Sequence, residues 1–235
     1  MLFLQPILLW LAAYCGFVAD SPLDRRAAPT VTLDTATVTG VASCSVNEWL
    51  GIPFALPPET GNFRFQPPQP IPSYNTSFSA TTYGPSCPQQ NATLSIPPGL
   101  HAETLDYLTP TVSNITVSED CLTVNVVAPA DATPESNLPV AIWIFGRGLE
   151  SGSTRASPFD GSVVVNNLIA LSVPVVYVRI NYRLTAFGFL ASEEVKQTGV
   201  GNLGLQDQQQ AMRWVQKYIN AFGGDPCNVT TVHVT

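Results

Sequence analysis

Three apolar runs in the middle of the chain predict buried β-strands. They are 121–129 (CLTVNVVAP), 139–145 (PVAIWIF) and 172–180 (SVPVVYVRI), and valine and isoleucine dominate them. Because these runs are apolar almost continuously, both faces of each strand are expected to be covered, as in a parallel sheet with helices on its two sides. The pattern predicts an α/β fold.

An amphipathic helix is predicted at 203–222, because its apolar positions recur with the helical period and form one wide stripe. The stripe contains Leu205, Met212, Val215, Ile219 and Phe222, and an adjoining row contains Ala211, Trp214 and Tyr218. Gly223 and Pro226 end the helix, since glycine caps a helix and proline cannot continue it. A further apolar strand at 228–235 completes a βαβ unit with the strand at 173–180.

The part of the chain before residue 121 has a different composition. Residues 31–56 alternate like short strands separated by turns, whereas 57–118 are rich in Pro, Ser, Thr and Asn. The second stretch predicts a loop-rich surface layer that a covalent link holds in place.

Composition narrows the class of protein. Of 235 residues, 45% are hydrophobic, which excludes wholesale disorder. Ten Lys and Arg stand against 17 Asp and Glu, and the net charge of −7 argues against charge-driven binding to nucleic acid or anionic membranes. Only 11% of residues are charged, which favours a secreted chain. The two histidines are His101 and His233.

The N-terminus predicts export. Residues 1–19 are apolar, carry no charged side chain and end in small residues, which is typical of a signal peptide. Since the run is nearly long enough to cross a bilayer, a membrane anchor is the alternative. Residues 20–26 end in Arg25-Arg26, which is either a dibasic processing site or an ordinary linker. Residues 27–235 then form one domain.

Cysteines and sequons fit an extracellular chain. Cys15 falls in the signal peptide, and the other four permit three pairings. They are Cys44, Cys87, Cys121 and Cys227. No Cys or His spacing matches a zinc site, and no cofactor or metal is expected. Sequons predict N-glycosylation at Asn75, Asn91, Asn114 and Asn228.

A glycine-bearing loop, Gly146-Arg147-Gly148 and the residues to Ser153, directly follows the second apolar run. The backbone N–H groups of such a loop can stabilise a developing negative charge, as an oxyanion hole does. A tight strand-to-loop turn that uses glycine for backbone freedom is the alternative.

Seven blocks in order resemble the type-B carboxylesterase/lipase family, which includes secreted fungal lipases and cholinesterases. They are GIPFALPP (51–58), NFRFQPP (62–68), SEDCLTVNV (118–126), WIFGRGLESGS (143–153), NYRLTAFGFL (181–190), GNLGLQDQQQAMRWVQKYINAFGGDPCNVT (201–230) and TVHVT (231–235). The resemblance implies an α/β-hydrolase fold, of which this chain holds the N-terminal part of the central sheet, and serine-dependent ester hydrolysis.

The resemblance also implies two structural links in the loop-rich layer. One is a Cys87–Cys121 disulfide, and the other is an ion pair between Arg64 and Glu119. The two remaining cysteines have no partner in the pattern, so a free thiol, a bond between them and a bond to another segment all stay open.

The glycine loop departs from the family pattern. The family usually has Gly-Gly-Gly where this chain has Gly146-Arg147-Gly148, and the N–H groups of the second and third positions donate to the oxyanion. Arg147 keeps its N–H, but a Cβ disfavours backbone angles that glycine adopts freely. Leu149 replaces a common Phe.

No Gly-x-Ser-x-Gly occurs in the 235 residues, so the nucleophile that the family carries in this motif is missing. In the family it follows the strand that matches 231–235, and the acid and the base come later. We therefore expect the chain to stop short of the triad. His101 is expected in a surface loop and His233 in a core strand. Asp207 is interpreted as a structural carboxylate that complements the helix dipole.

The sequence therefore predicts the N-terminal part of a secreted carboxylic-ester hydrolase that is inactive by itself. The alternatives are a non-catalytic secreted binding protein, like adhesion ectodomains of the family, and a truncated gene product. The substrate of the full family is a small-molecule or lipid ester, and neither a nucleic-acid partner nor a stable membrane span is expected. The last strand, 229–235, is expected to be an aggregation-prone edge.

Overall fold

The structure is a computed structural model that describes residues 26–43, 45–58, 63–90, 99, 116–155 and 160–233. The predicted signal peptide, Cys44, Asn91, Asn114 and His101 lie outside the described residues. Of the helices in the described ranges, none is both long enough and apolar enough to cross a membrane.

Two sheets organise the described residues. The smaller one joins β1 (Thr30–Leu33), β2 (Ala36–Thr39) and β5 (Phe78–Ser79). The larger one carries the core and runs, in spatial order, through β3 (Val41–Ser43), β4 (Val46–Pro53), β6 (Thr123–Pro129), β8 (Val176–Ile180), β7 (Leu138–Ile144) and β9 (Gly224–His233).

The larger sheet is mixed. β7 pairs in parallel with both β8 and β9, whereas β6 is antiparallel to β4 and to β8. Every residue of β6 and of β8 is buried, so the predicted burial of these runs is confirmed. The prediction of parallel pairing is wrong for β6, because burial on both faces reports the layers that cover a strand and not the direction of its neighbours.

Helices cover this sheet. Helix α1 (Gly161–Ala170) packs on β4, β6 and β8, and Asp160 caps it by accepting a hydrogen bond from the N–H of Ser162. Three helices follow β8, namely α2 (Thr185–Phe189), α3 (Glu193–Thr198) and α4 (Leu203–Tyr218). A 3₁₀ turn at Ile219–Phe222 then leads to β9.

The predicted helix at 203–222 is present but ends differently. It is α-helical only to Tyr218, and Gly223, with φ 89°, caps the 3₁₀ turn in the left-handed conformation. β9 begins at Gly224, four residues earlier than predicted, and the strand predicted from 173 begins at Val176.

The apolar stripe of the predicted helix differs from its prediction at one end. Leu205 is 45% exposed, so its assignment to the buried stripe is wrong. The remaining predicted positions are confirmed as buried or half-buried: Ala211, Met212, Trp214, Val215, Tyr218, Ile219 and Phe222. The buried face also includes Asp207, because this carboxylate forms an ion pair with Arg183 that hydropathy cannot indicate.

The loop-rich layer has the two links that the resemblance implies. Cys87 and Cys121 form a disulfide with a Cα–Cα distance of 5.1 Å. Arg64 donates from Nε to Oε2 of Glu119 at 2.8 Å and pairs with the other carboxylate oxygen through Nη2. Both links tie the stretch between β4 and β6 to the residues just before β6.

Candidate active site at the glycine loop

The glycine loop, Gly146–Ser153, leaves the carboxyl end of β7. Because β7, β8 and β9 are parallel, their carboxyl ends lie at the same edge of the sheet. In open α/β sheets this edge is where ligands bind. The segment Asn181–Leu184, which follows β8, begins at the same edge and is buried throughout.

Three consecutive residues of the loop have left-handed backbone angles. The φ values are 72° at Arg147, 66° at Gly148 and 65° at Leu149. This conformation costs a residue with a Cβ about 1–2 kcal/mol, whereas glycine adopts it freely. Strain of this kind persists only where the surroundings hold the backbone in place.

Tyr182 holds the start of the loop. Its hydroxyl donates to the carbonyl oxygen of Phe145 at 2.7 Å, and the two rings stack with centroids 4.5 Å apart. Burial raises the pKa of Tyr182 to about 12, so the hydroxyl stays protonated and remains a donor at neutral pH.

The middle of the loop is held by backbone hydrogen bonds. Thr185 N donates to the carbonyl oxygen of Leu149 at 2.9 Å, and Gln90 N donates to that of Glu150 at 2.9 Å. Within the loop, Glu150 N donates to the carbonyl oxygen of Arg147 at 3.3 Å. The first of these bonds fixes the loop to the start of α2.

Two side chains of the β8 segment hold the residues after the loop. The N–H of Thr154 donates to Oδ1 of Asn181 at 3.0 Å, and its carbonyl oxygen accepts from Nη1 of Arg179 at 3.0 Å. Thr154, Asn181 and Arg179 are all buried, so these bonds are shielded from water.

Gly148 presents a backbone donor at an open position. Among the described residues, no acceptor takes its N–H, and a Cβ built on Gly148 would have no atom within 4 Å. Arg147 and Gly148 are both exposed, so a ligand can approach this part of the loop. An N–H group held in a fixed direction at an accessible position can stabilise a negative charge that develops on a bound group.

Asp207 and Arg183 pair beneath this edge. Asp207 accepts from Nε of Arg183 at 2.8 Å, from Nη2 at 2.7 Å and from the backbone N–H at 3.0 Å. Burial raises the pKa of Asp207, and the hydrogen bonds and charge of Arg183 oppose that rise. The helix-dipole interpretation of Asp207 is therefore wrong, because the carboxylate is the counter-ion of a buried guanidinium.

The other predicted residues in the described ranges lie apart from this edge, except His233, which pairs with Ile144 at the carboxyl end of β9. Asn75 and Asn228 are exposed, the latter inside β9, and Cys227 is an exposed thiol with no disulfide partner among the described residues. His233 is the last described residue of β9.

Sequence reasoning missed the residues that hold the loop. Tyr182 and Thr185 both lie in the block NYRLTAFGFL, which carried the resemblance but had no role assigned to it. The block follows a buried strand whose neighbour leads into the glycine loop, and that position is the signal that would have found them.

Two other features of the described part of the chain do not point to this edge. No group of three or more His, Cys, Asp or Glu residues there is arranged to hold a metal ion. A pocket of about 380 Å³ lies at the opposite end of β7, where Leu138, Pro129 and Ile169 line it.

The mixed sheet, the helices after β8 and the loop at the carboxyl edge define an α/β-hydrolase fold. A solved structure supports this class: the Aspergillus niger EstA crystal structure superposes with a TM-score of 0.72 at 38% sequence identity. The match covers 89% of this chain and 36% of that one.

The chain belongs to the carboxylesterase family, whose profile matches residues 27–232. It is 43% identical to Lipase 5 of Diutina rugosa over 208 residues, which are 87% of this chain and 37% of the lipase. It is 42% identical to Secreted lipase 1 of Botryotinia fuckeliana over 217 residues, or 90% of this chain and 37% of that lipase. The chain thus spans a little over a third of the length of these relatives.

Proposed function

We propose that this chain is the N-terminal part of a secreted serine carboxylic-ester hydrolase and supplies the oxyanion loop of its active site. The observation that carries the proposal is the exposed N–H of Gly148, held in a strained loop at the carboxyl edge of the parallel strands. Arg147 N and Gly148 N are the proposed donors to the oxyanion. Membership of the carboxylesterase family supports a small-molecule or lipid ester as the substrate of the whole protein.

We propose that the catalytic groups of the whole protein are divided between this chain and residues that this chain does not contain. Ester hydrolysis by this route needs a nucleophile, a base that takes its proton and a carboxylate that orients the base. The 235 residues contain no Gly-x-Ser-x-Gly, and the part of each relative that the chain matches is only 37% of that relative's length. We therefore propose that the chain stabilises the charge of the tetrahedral intermediate and that it is inactive alone.

The proposal includes export and glycosylation. Residues 1–19 act as the signal peptide, and one relative is named a secreted lipase, which supports an extracellular location. The exposed Asn75 and Asn228 accept N-linked glycans, and Asn91 and Asn114 are further sequons of the same chain. Mass spectrometry of the secreted protein before and after endoglycosidase treatment tests these four positions.

Hydrolysis of a nitrophenyl ester tests the central proposal. The product of residues 27–235 should show no hydrolysis above that of buffer, whereas a gene product that continues into a Gly-x-Ser-x-Gly block should hydrolyse the ester. Activity of the 27–235 product that is lost on substitution of Arg147 would overturn the division of roles.

A non-catalytic binding protein is the second candidate, and Arg147 is the observation that favours it. Arg147 has a left-handed backbone conformation at a position that is usually glycine in the family, as expected if the loop is no longer under selection for catalysis. The nucleotide sequence beyond codon 235 separates the two candidates: a serine in the Gly-x-Ser-x-Gly block supports the hydrolase, and its replacement supports the binding protein.

A further inference from the structure

The segment that follows Cys87 is fastened to the end of the glycine loop by one side chain. Oε1 of Gln89 accepts from the N–H of Gly152 at 2.8 Å, and Nε2 of Gln89 donates to the carbonyl oxygen of Gly152 at 3.3 Å. The same Nε2 donates to the carbonyl oxygen of Cys87 at 3.3 Å. The amide of Gln89 therefore pairs with both backbone groups of Gly152, as a neighbouring strand would do.

The two hydrogen bonds between the Gln89 side chain and Gly152, called the clamp below, act at a position that strongly affects the loop. Its φ is 130°, and a Cβ there would lie 2.5 Å from the ring of Phe145. Since Phe145 immediately precedes the loop, the two ends of the loop touch at this contact. Fixing Gly152 thus closes the loop around the strained residues that lie between its ends.

The clamp also connects the loop to the disulfide. Gln89 lies two residues after Cys87, whose disulfide to Cys121 anchors this segment at the start of β6. The glycine loop is consequently held from the sheet side by Tyr182 and from the outer side by Gln89. On the outer side, Gly152 is held by one amide side chain, which a single substitution removes, whereas the backbone bond from Gln90 to Glu150 remains.

We propose that Gln89 is a positioning residue that keeps the oxyanion donors Arg147 and Gly148 in their left-handed conformation by clamping Gly152. This role rests on the proposed function, because Gln89 contacts the loop and not the reacting atoms. The amide acts through the backbone of Gly152, where it makes one bond as an acceptor and one as a donor.

Amide hydrogen exchange of the 235-residue protein tests the clamp without any activity. Gln89→Ala should raise the exchange of the Gly152 amide at least tenfold and raise that of Glu150, whose N–H closes the turn onto Arg147. Gln89→Glu keeps the acceptor for the Gly152 N–H and loses the donor, so its exchange should lie between those of the wild type and Gln89→Ala.

Gln69→Ala is the matched control. Gln69 is half-buried like Gln89, and its Nε2 also donates to the carbonyl oxygen two residues earlier, that of Pro67, at 3.1 Å. It makes no hydrogen bond to the glycine loop, so its substitution should leave Gly152 exchange unchanged. Equal exchange of Gly152 in the wild type and Gln89→Ala, or an equal rise in Gln69→Ala, would overturn the clamp.

Kinetics of a gene product that carries the nucleophile block test the positioning role. Gln89→Ala should lower kcat at least tenfold with little change in KM, and Gln89→Glu should recover part of the loss. Faster exchange of the Gly152 amide in Gln89→Ala with an unchanged kcat would overturn the positioning role, because the loop would then be more mobile while its oxyanion donors still function. A wild-type product that hydrolyses no ester contradicts the proposed function itself, and the exchange result alone then decides whether Gln89 holds the loop.

Discussion

Asp207 accepts three hydrogen bonds from Arg183 in the protein interior, where the side chain of Asp207 is 0% exposed and that of Arg183 is 4% exposed. Replacing Asp207 by Asn leaves a buried guanidinium without its counter-ion. Removing one partner of a buried pair costs about 3–5 kcal/mol, so Asp207→Asn should lower the free energy of unfolding by that amount in urea denaturation.

An exposed ion pair, between Arg64 and Glu119, is the control for this substitution. Arg64 is 56% exposed in its pair with Glu119, and exposed pairs contribute about 0–1 kcal/mol. Glu119→Gln should therefore change the urea midpoint much less than Asp207→Asn. Equal losses in the two variants would mean that burial does not set the strength of these pairs.

Tyr182→Phe should destabilise the protein by about 1–3 kcal/mol, because it leaves the carbonyl oxygen of Phe145 without its donor while keeping the ring stack. Tyr177→Phe is the control, since Tyr177 is buried and its hydroxyl donates to no described acceptor. The comparison is made by urea unfolding, and a loss for Tyr177→Phe as large as for Tyr182→Phe would contradict the role of the Phe145 bond.

Arg147→Gly should stabilise the chain by up to about 1 kcal/mol, since glycine adopts a φ of 72° without strain and this gain exceeds the entropy it adds to the unfolded state. Arg147→Ala keeps the Cβ and removes the rest of the side chain with its charge, so it should not stabilise. Thermal unfolding of both variants separates the strain from the charge, and a gain for Arg147→Ala alone would assign the effect to the charge.

Loss of the disulfide should cost about 3–4 kcal/mol on the loop-entropy model, because Cys87 and Cys121 are 34 residues apart. The double substitution to Ser measures this in urea, and the wild type in the presence of reductant should match it. Unchanged stability after reduction, with thiol titration confirming the open form, would contradict the expected role of the bond.

The titration of Asp34 should make the free energy of unfolding depend on pH in the acid range. The hydroxyl of Tyr218 donates to its carboxylate at 2.7 Å and the N–H of Tyr74 at 2.9 Å, and these bonds hold the pKa of Asp34 below its usual range. A lowered folded-state pKa contributes stability above the unfolded pKa near about 4, and this contribution disappears as pH falls through the folded pKa.

Asp34→Asn tests this dependence. The difference in unfolding free energy between the wild type and Asp34→Asn should be constant at neutral pH and shrink as pH falls below about 4. Tyr218→Phe removes the first cause of the lowered pKa and should reduce the same slope. A difference that grows on acidification has the opposite sign and would contradict the assignment.

The sequence by itself determined which strands are buried and where the main helix lies. Runs such as Val176–Ile180 are apolar at every residue but one, so they are buried whichever neighbours they pair with. The helical period of α4 is recognisable even where one position is assigned to the wrong face. The glycine loop was also evident, because Gly146 and Gly148 directly follow a buried strand and mark backbone freedom at a strand end. Family blocks predicted the Cys87–Cys121 bond, which periodicity alone left among three pairings.

Only the tertiary structure decided how polar groups share the interior. Leu205 points to solvent and Asp207 to the core, since a charge 24 residues away, on Arg183, neutralises the carboxylate. The clamp of Gln89 on Gly152 spans 63 residues and leaves no local pattern. Apolar periodicity is a property of neighbours along the chain, whereas the partner of a buried polar group is chosen by the fold. The loop's existence could therefore be predicted, and the bonds that hold it in its strained conformation could not.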